Sequence, residues 1–179
     1  MKYCSECGSK VALVTGRRGA TWRFVCSGCQ AIFYQTPKLA SACLCEWEGK
    51  ILLCLRGVQP ERDRWELPAG FVASKETLRA AAARETLEEA GVEVEIQRPY
   101  ALLHLPHVNQ IRVVYLARLC GTRFKTGSET LEVRLFNEDE IPWDTLAFAT
   151  TRDTLRRYFA DRKEGVLGFF VAEIVPVQA

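Results

Sequence analysis

Three carboxylates crowd one turn near the middle of the chain. In GFVASKETLRAAAARETLEEAGV, residues 70–92, Glu85, Glu88 and Glu89 stand three and four apart beside Arg84. Positions at that spacing share a helix face, because each residue turns the helix by about 100°. Like charges so placed repel one another and resist ionisation. A hard divalent cation removes that cost. Magnesium and manganese take oxygen ligands, often carboxylates combined with substrate phosphates. Arg84 can orient one acid, Glu88 at i+4 included. Gly70 permits a sharp strand-to-helix turn and can offer its carbonyl to the metal. The competing reading is a solvated helix face of Glu and Arg.

A second set of residues carries different chemistry. Cys4/Cys7 and Cys26/Cys29 are two C-x-x-C pairs with 18 residues between them. Two such knuckles point four thiolates at one tetrahedral site, the pattern of structural zinc. A segment of that size buries little core, so the metal would hold it together. A disulfide framework fits poorly, since the chain is long and its cysteines pair closely. The other four, Cys43, Cys45, Cys54 and Cys120, lie in apolar sequence and read as small buried hydrophobes.

These residues need elements to position them. The sequence divides into residues 1–36, a zinc-ribbon β unit, and residues 37–179, the main domain. In the first unit, Arg17, Arg18 and Gly19 read as a hairpin tip and TWRFVC as a strand. In the second, Ser41–Trp47 and Ile51–Leu55 are strands joined at Glu48-Gly49-Lys50. WELPAGF is a short strand running into a glycine turn. The acid helix spans about residues 75–90, with Ser74 as N-cap and Gly91 at its C-terminal end. VEVEI alternates, QIRVVYLARL and LEVRLFN are strands, and a helix covers about residues 150–162. The tail VLGFFVAEIVPV adds a strand or swaps onto a partner. Strands on either side of a central helix, with a second helix late, give an α+β fold with a mixed sheet.

The acid stretch resembles the Nudix box, G-x5-E-x7-R-E-U-x-E-E-x-G-U, with U a bulky aliphatic. Gly70, Glu76, Arg84, Glu85, Glu88, Glu89, Gly91 and Val92 fall in register. Thr86 departs at one aliphatic position, and Ala69 replaces a glycine of the W-x-L-P-G-G lead-in. The resemblance implies an α/β/α sandwich and magnesium- or manganese-dependent hydrolysis of a nucleoside diphosphate linked to another group. It implies metal ligands at Glu85 and Glu89 and a ligand to metal or water at Glu88, with Arg84 orienting a glutamate and Glu76 a buried structural or metal-adjacent acid. A further glutamate is expected from GSETLEVRLF: Glu129 as metal ligand or general base, with Glu132 the runner-up.

Two Nudix groups carry a zinc ribbon before the catalytic domain, the NADH pyrophosphatases and the FAD/ADP-ribose pyrophosphatases. The S-Q-P-W-P-F-P-x-S motif of the first is absent from LLHLPHVNQIRVVYLARL. YCSECGS, YQTPKLASACL, GKILLCLRGVQPERDRWELPAGF and LEVRLFNEDEIPWDTLAFATTRDTL are similar to the second. That similarity implies ADP-ribose or FAD as substrate, with AMP plus ribose 5-phosphate or FMN as products. Tyr34, Trp65, His107, Asn109, Gln110 and Phe148 are candidates for lining the nucleoside pocket, and NEDEIPWDTLAF for a loop over it. His104 and His107 read as polar strand ends rather than catalysts.

Composition bounds the alternatives. The formal net charge is +2, which makes no electrostatic case for nucleic acid, although Arg17, Arg18, Trp22, Arg23 and Phe24 could stack a base. No apolar run reaches the ~20 residues of a membrane span, and the N-terminus lacks the apolar core of a secretory signal, so the expected location is cytoplasmic. The resemblance adds an expected homodimer. Competing functions are an NADH or NAD-capped RNA pyrophosphatase, and a non-catalytic nucleotide-sensing or nucleic-acid-binding regulator.

Overall fold

The computed structural model describes residues 1–15 and 22–175. The expected hairpin tip at Arg17-Arg18-Gly19 lies outside the described residues, as does the end of the tail. The chain forms two compact units, Met1–Pro37 and Lys38–Ala179. In the first, β1 (Val11–Thr15), β2 (Trp22–Cys26) and β3 (Ile32–Tyr34) form an antiparallel sheet in that order.

The second unit is built on one mixed sheet. Its strands are β4 (Lys38–Trp47), β5 (Lys50–Arg56), β6 (Trp65–Glu66), β7 (Ala69–Phe71), β8 (Val94–Leu105), β9 (Gln110–Leu119), β10 (Thr130–Phe136) and β11 (Phe170–Glu173). The main order is β10-β5-β4-β9-β8-β11, with β6 on β5 and β7 on β4. β4 pairs with β9 in parallel and β11 with β8 in parallel; the other pairs are antiparallel. The helices are α1 (Leu78–Ala90) and α2 (Ala149–Glu164).

Alternation along the central strands explains the layering. Ala42, Leu44, Ile51 and Leu53 face one core with Leu155, Tyr158 and Phe159 of α2. Cys43, Cys45, Leu52 and Cys54 face the other with Ala82 and Ala90 of α1. Both faces of β4 and β5 are therefore covered, which is why these strands read as continuous apolar runs. The α+β expectation takes the form of a sheet between two helices. Small side chains on the α1 side (alanine, cysteine, threonine) let that helix lie close. Thr86, the polar departure, is buried with its hydroxyl donating to the Ala82 carbonyl at 2.8 Å.

Several local expectations change. The Glu48-Gly49 turn holds, with φ of 49° and 80°, the pair of positive values that suits a tight hairpin. The acid helix starts later than Ser74 would cap it. Lys75 sits at φ 67°, and Thr77 is the cap, its hydroxyl accepting from the Ala80 N–H at 3.1 Å. Gly91 closes the helix in the left-handed region, φ 65°, as expected. VEVEI is only the start of β8, which runs on through Pro99. Register shifts at Ile96/Arg98 and Pro99/Ala101 absorb the residue that has no N–H to give. The tail pairs within its own chain as β11. Cys43, Cys45 and Cys54 are buried, but Cys120 is exposed, one residue past the end of β9. Among the described residues no helix is long and apolar enough to cross a membrane.

Candidate active site

β7 brings Gly70 against α1 with no room to spare. A β-carbon there would fall 2.0 Å from the Glu85 carboxyl carbon, so glycine leaves space for that carboxylate. Gly70 is the middle residue of β7, paired with Ser41, and not the sharp strand-to-helix turn expected, since α1 begins only at Leu78. Arg84 gathers the other acids. Its Nε and Nη2 donate to the two Glu76 oxygens at 2.8 and 2.9 Å. Its Nη1 donates to Glu85 at 2.7 Å and Glu88 at 3.0 Å, and Nη2 also reaches the Phe71 carbonyl at 3.1 Å. Glu89 points elsewhere and accepts from the Ala69 N–H at 3.3 Å.

The acids consequently differ in charge state. Hydrogen bonds from Arg84 and from the Ala73 N–H hold Glu76 down at about 2. Burial pushes Glu85 up despite Arg84 beside it. Burial first, and the nearby Glu66 carboxylate second, push Glu89 up to about 8. A carboxyl that resists ionisation at neutral pH, with Glu85 nearby also pushed up by burial, marks a place short of positive charge.

The segment between β9 and β10 adds a fourth acid and is tied to the end of α1. The Lys125 N–H donates to the Ala90 carbonyl at 2.9 Å and the Gly127 N–H to the Glu89 carbonyl at 3.3 Å. At Gly127 a β-carbon would sit 2.0 Å from the Glu88 carbonyl oxygen. Glu129 follows two residues on, and its own carbonyl accepts from the Gly57 N–H at 2.7 Å.

Gly70, Glu85, Glu88, Glu89 and Glu129 line one cavity of about 830 Å³, built within the second unit. Gln110, Phe148 and His107 line it too. Other candidates fall elsewhere. Trp65, expected at the nucleoside pocket, packs edge-on to Phe136 with ring centroids 4.9 Å apart, against the main core. Its indole faces inward because β6 pairs with β5 and leaves Glu66, not Trp65, toward the cavity. Tyr34 is exposed on β3 of the first unit. Asn109 forms a left-handed turn, and His104 and Glu132 lie on strands away from the cavity lining. The segment 137–148 is anchored by buried Ile141 and Leu146, and only Phe148 reaches the cavity.

Three charged lining residues escaped the sequence reading: Arg56, Glu66 and Arg112. Glu66 is 2% exposed and ion-paired with Arg56. Burial raises its pKa, against the pull of Arg112 and Arg56. Arg112 is held by the Thr150 hydroxyl at 3.2 Å. Sequence offered little signal for them: Arg56 ends β5, Glu66 sits in a two-residue strand, and Arg112 shares β9 with Arg118.

The acid wall fits a hard divalent cation by its chemistry. Its donors are all oxygens, Gly70 makes room for one of them, and burial and the Glu66 carboxylate make Glu89 resist ionisation, a cost that a bound cation would offset. Among the described residues only Cys4, Cys7, Cys26 and Cys29 gather their ligand atoms within 4.8 Å of one another. Their Sγ pairs lie 3.6 Å (Cys4, Cys29) and 3.4 Å (Cys7, Cys26) apart. Four thiolates at the ~2.3 Å bond length of zinc stand about 3.8 Å apart, so this set also fits its ion.

Residues 36–159 match the family model described as NUDIX domain, and residues 2–35 match the one described as Nudix N-terminal. A solved NUDIX hydrolase from Nitrosomonas europaea is 46% identical and superposes with a TM-score of 0.92, over 97% of this chain and 99% of that one. An ADP-ribose pyrophosphatase of Methanocaldococcus jannaschii is 30% identical over 61% of this chain and 67% of its own length. An NAD-capped RNA hydrolase of Salmonella heidelberg is 28% identical over 79% of this chain. The chain spans 53% of that relative's length.

Proposed function

The chain belongs to the Nudix family, and we propose that it is a divalent-metal-dependent diphosphatase acting on ADP-ribose or FAD. The products would be AMP plus ribose 5-phosphate or FMN. The observation that carries the reading is the single cavity lined by Glu85, Glu88, Glu89 and Glu129, with Glu85 seated against Gly70. The M. jannaschii relative's name supports ADP-ribose, and the missing S-Q-P-W-P-F-P-x-S motif counts against NADH. The relatives named NAD-capped RNA hydrolase favour a second reading, cleavage of a nicotinamide dinucleotide or an RNA capped with one.

Glu85, Glu88, Glu89 and Glu129, with the Gly70 carbonyl, would hold magnesium or manganese. Such an ion, when bound, neutralises the diphosphate and lowers the pKa of a coordinated water. Arg84 fixes Glu85 and Glu88 through one guanidinium, so the two cannot drift independently. Ala69 fixes Glu89 from the backbone. Glu129, which lines the cavity from the segment between β9 and β10, would take a proton from the attacking water or join the metal ligands. That water's oxygen bonds to one phosphorus, and the bridging P–O bond breaks to release two monophosphates. Most of the rate gain in such a site is positioning and charge stabilisation.

Cys4, Cys7, Cys26 and Cys29 would hold a structural zinc with no open position. Thiolate sets of this kind suit a reducing compartment, which supports a cytoplasmic location. The test is a panel of ADP-ribose, FAD, NADH, NAD⁺, NAD-capped RNA, diadenosine polyphosphates and nucleoside triphosphates with Mg²⁺ or Mn²⁺. The reading expects ADP-ribose or FAD to give the highest kcat/KM. Preference for a triphosphate, or no metal-dependent turnover, would overturn it.

A further inference from the structure

Two of the four thiols in the first unit face outward. Cys7 and Cys29 are exposed, whereas Cys4 and Cys26 are buried. Among the described residues of that unit no other residue is buried, so the sulfurs stand where a core would be. Each exposed sulfur lies against a buried one from the other knuckle. Cys7 Sγ is 3.4 Å from Cys26 Sγ, and Cys29 Sγ is 3.6 Å from Cys4 Sγ. The other cysteines are placed differently: Cys43, Cys45 and Cys54 are buried in the second unit, and Cys120 is exposed just past β9.

Cys7 has both an open approach and a fixed neighbour. Gly28 supplies the opening, because a β-carbon on it would stand 3.5 Å from Cys7 Sγ, in ordinary contact with the sulfur. The backbone at Gly28 does not require glycine, since its φ is outside the left-handed region. What a β-carbon would strike is Ser9, at 2.4 Å from Oγ. Cys26 is the fixed neighbour. Its Sγ accepts from the Gly28 N–H at 3.3 Å and the Cys29 N–H at 3.4 Å, which holds it beside Cys7. Reactivity of a thiolate follows access, and an accessible one beside a second thiolate is the arrangement that goes on to a disulfide.

We propose that Cys7 and Cys26 form a peroxide-oxidisable pair whose oxidation expels the zinc of the first unit. This rests on the zinc reading of the four thiols and is independent of the diphosphatase reading. The oxidant is a hydroperoxide. The Cys7 thiolate attacks one peroxide oxygen: an S–O bond forms, the O–O bond breaks and hydroxide leaves. The Cys26 thiolate then attacks the Cys7 sulfur, forming the S–S bond and releasing the sulfenic oxygen as a second hydroxide. The two sulfurs lose two electrons, the peroxide gains both, and two solvent protons convert the hydroxides to water. Only Cys4 and Cys29 are then left as thiolates, too few to hold a tetrahedral ion. Excess thiol reverses the step by exchange through the disulfide.

The test is titration of the reduced, zinc-loaded full chain with hydrogen peroxide. Free zinc is read with a chromogenic chelator, and disulfides are mapped by mass spectrometry of unreduced peptides. About one equivalent of peroxide should free one zinc per chain, with Cys7–Cys26 the first disulfide to appear. Cys7→Ser removes a zinc ligand along with the reactive thiol, so access is tested with all four ligands kept. Ser9→Ala removes the hydroxyl that a Gly28 β-carbon would strike. Adding Gly28→Ala to that variant should slow zinc release by about three- to tenfold. Cys120→Ser, at the exposed cysteine of the second unit, should change nothing. Zinc retained in a large excess of peroxide, a first disulfide other than Cys7–Cys26, or equal release rates with and without Gly28→Ala overturns the proposal. The mapped disulfide decides even where a variant loads zinc poorly. Wild-type protein that takes up no zinc sinks the zinc reading, and the proposal with it.

Discussion

Gly70→Ala is the perturbation that best separates chemistry from folding in this chain. The added β-carbon would lie 2.0 Å from the Glu85 carboxyl carbon, and 2.1 and 2.3 Å from its oxygens. Ordinary contact begins at 3.4 Å, so the carboxylate must retreat by about 1.4 Å (3.4 less 2.0). The backbone has no objection, because Gly70 is outside the left-handed region. The obstacle is the free end of a flexible side chain, which can swing away at little cost to the fold. Where alanine fits the backbone, it gains about 0.4–1 kcal/mol from the unfolded chain. Against that stands a weakened Arg84–Glu85 contact, so net stability should move by less than about 1 kcal/mol. Function should not be spared. A misplacement of ~1 Å costs about 10²-fold, and disturbing the setting of a metal ligand costs about 10–100-fold in metal affinity. We expect kcat/KM to fall by about 10²–10³ and Mn²⁺ binding, read by electron paramagnetic resonance, to weaken by at least tenfold. Thermal unfolding should stay within a few degrees of wild type. Wild-type Mn²⁺ affinity together with wild-type turnover would show that Glu85 need not sit against Gly70, and the site as argued would be wrong.

Gly127→Ala should give the opposite split, because its β-carbon would meet the backbone carbonyl of Glu88 at 2.0 Å and backbone cannot step aside; a loss of about 1–3 kcal/mol in urea unfolding is expected. Glu89→Gln should abolish metal-dependent turnover by about three orders of magnitude, measured on ADP-ribose, while leaving the fold intact. The same variant changes the pH response in EDTA. With Glu89 raised from 4.5 to about 8, the folded state keeps a proton that the unfolded chain has released, so stability falls as pH rises between those values. Urea midpoints of wild type should drop across that window and those of Glu89→Gln should be flatter; parallel curves would refute the assignment. In the first unit, Cys4→Ser should lose the roughly one zinc per chain that elemental analysis finds in wild type.

Much of this was readable in advance because the governing periodicities are local. The three acids, the Gly91 end and the late helix follow from 3.6-residue spacing and cap chemistry. The Glu48-Gly49 turn follows from the same local rules. What failed was tertiary. The start of α1 depended on Lys75 adopting a positive φ and on Glu76 being drawn to Arg84, which moved the cap from Ser74 to Thr77. β8 outran its alternating segment because bulges excused Pro99. Trp65 packs on the main core while its neighbour Glu66 lines the cavity, because successive strand residues face opposite sides. Arg56 and Arg112 are unremarkable in sequence; only sheet pairing sets them beside Phe148.

The hydrogen bonds from Lys125 and Gly127 to the end of α1 have a consequence for how this scaffold could diversify. They join Glu129 to Glu88 and Glu89 across some forty residues of chain, yet they occupy only the second half of the connection between β9 and β10. Gly121 meets no neighbour within 4 Å where a β-carbon would stand. The connection thus divides into a free arm and a fixed arm. Lengthening the chain between Gly121 and Phe124 would add surface to the protein without moving its fourth acid, whereas one residue added after Lys125 would shift Glu129 out of step with the helix. New specificities grafted onto this enzyme have their entry point in those few residues.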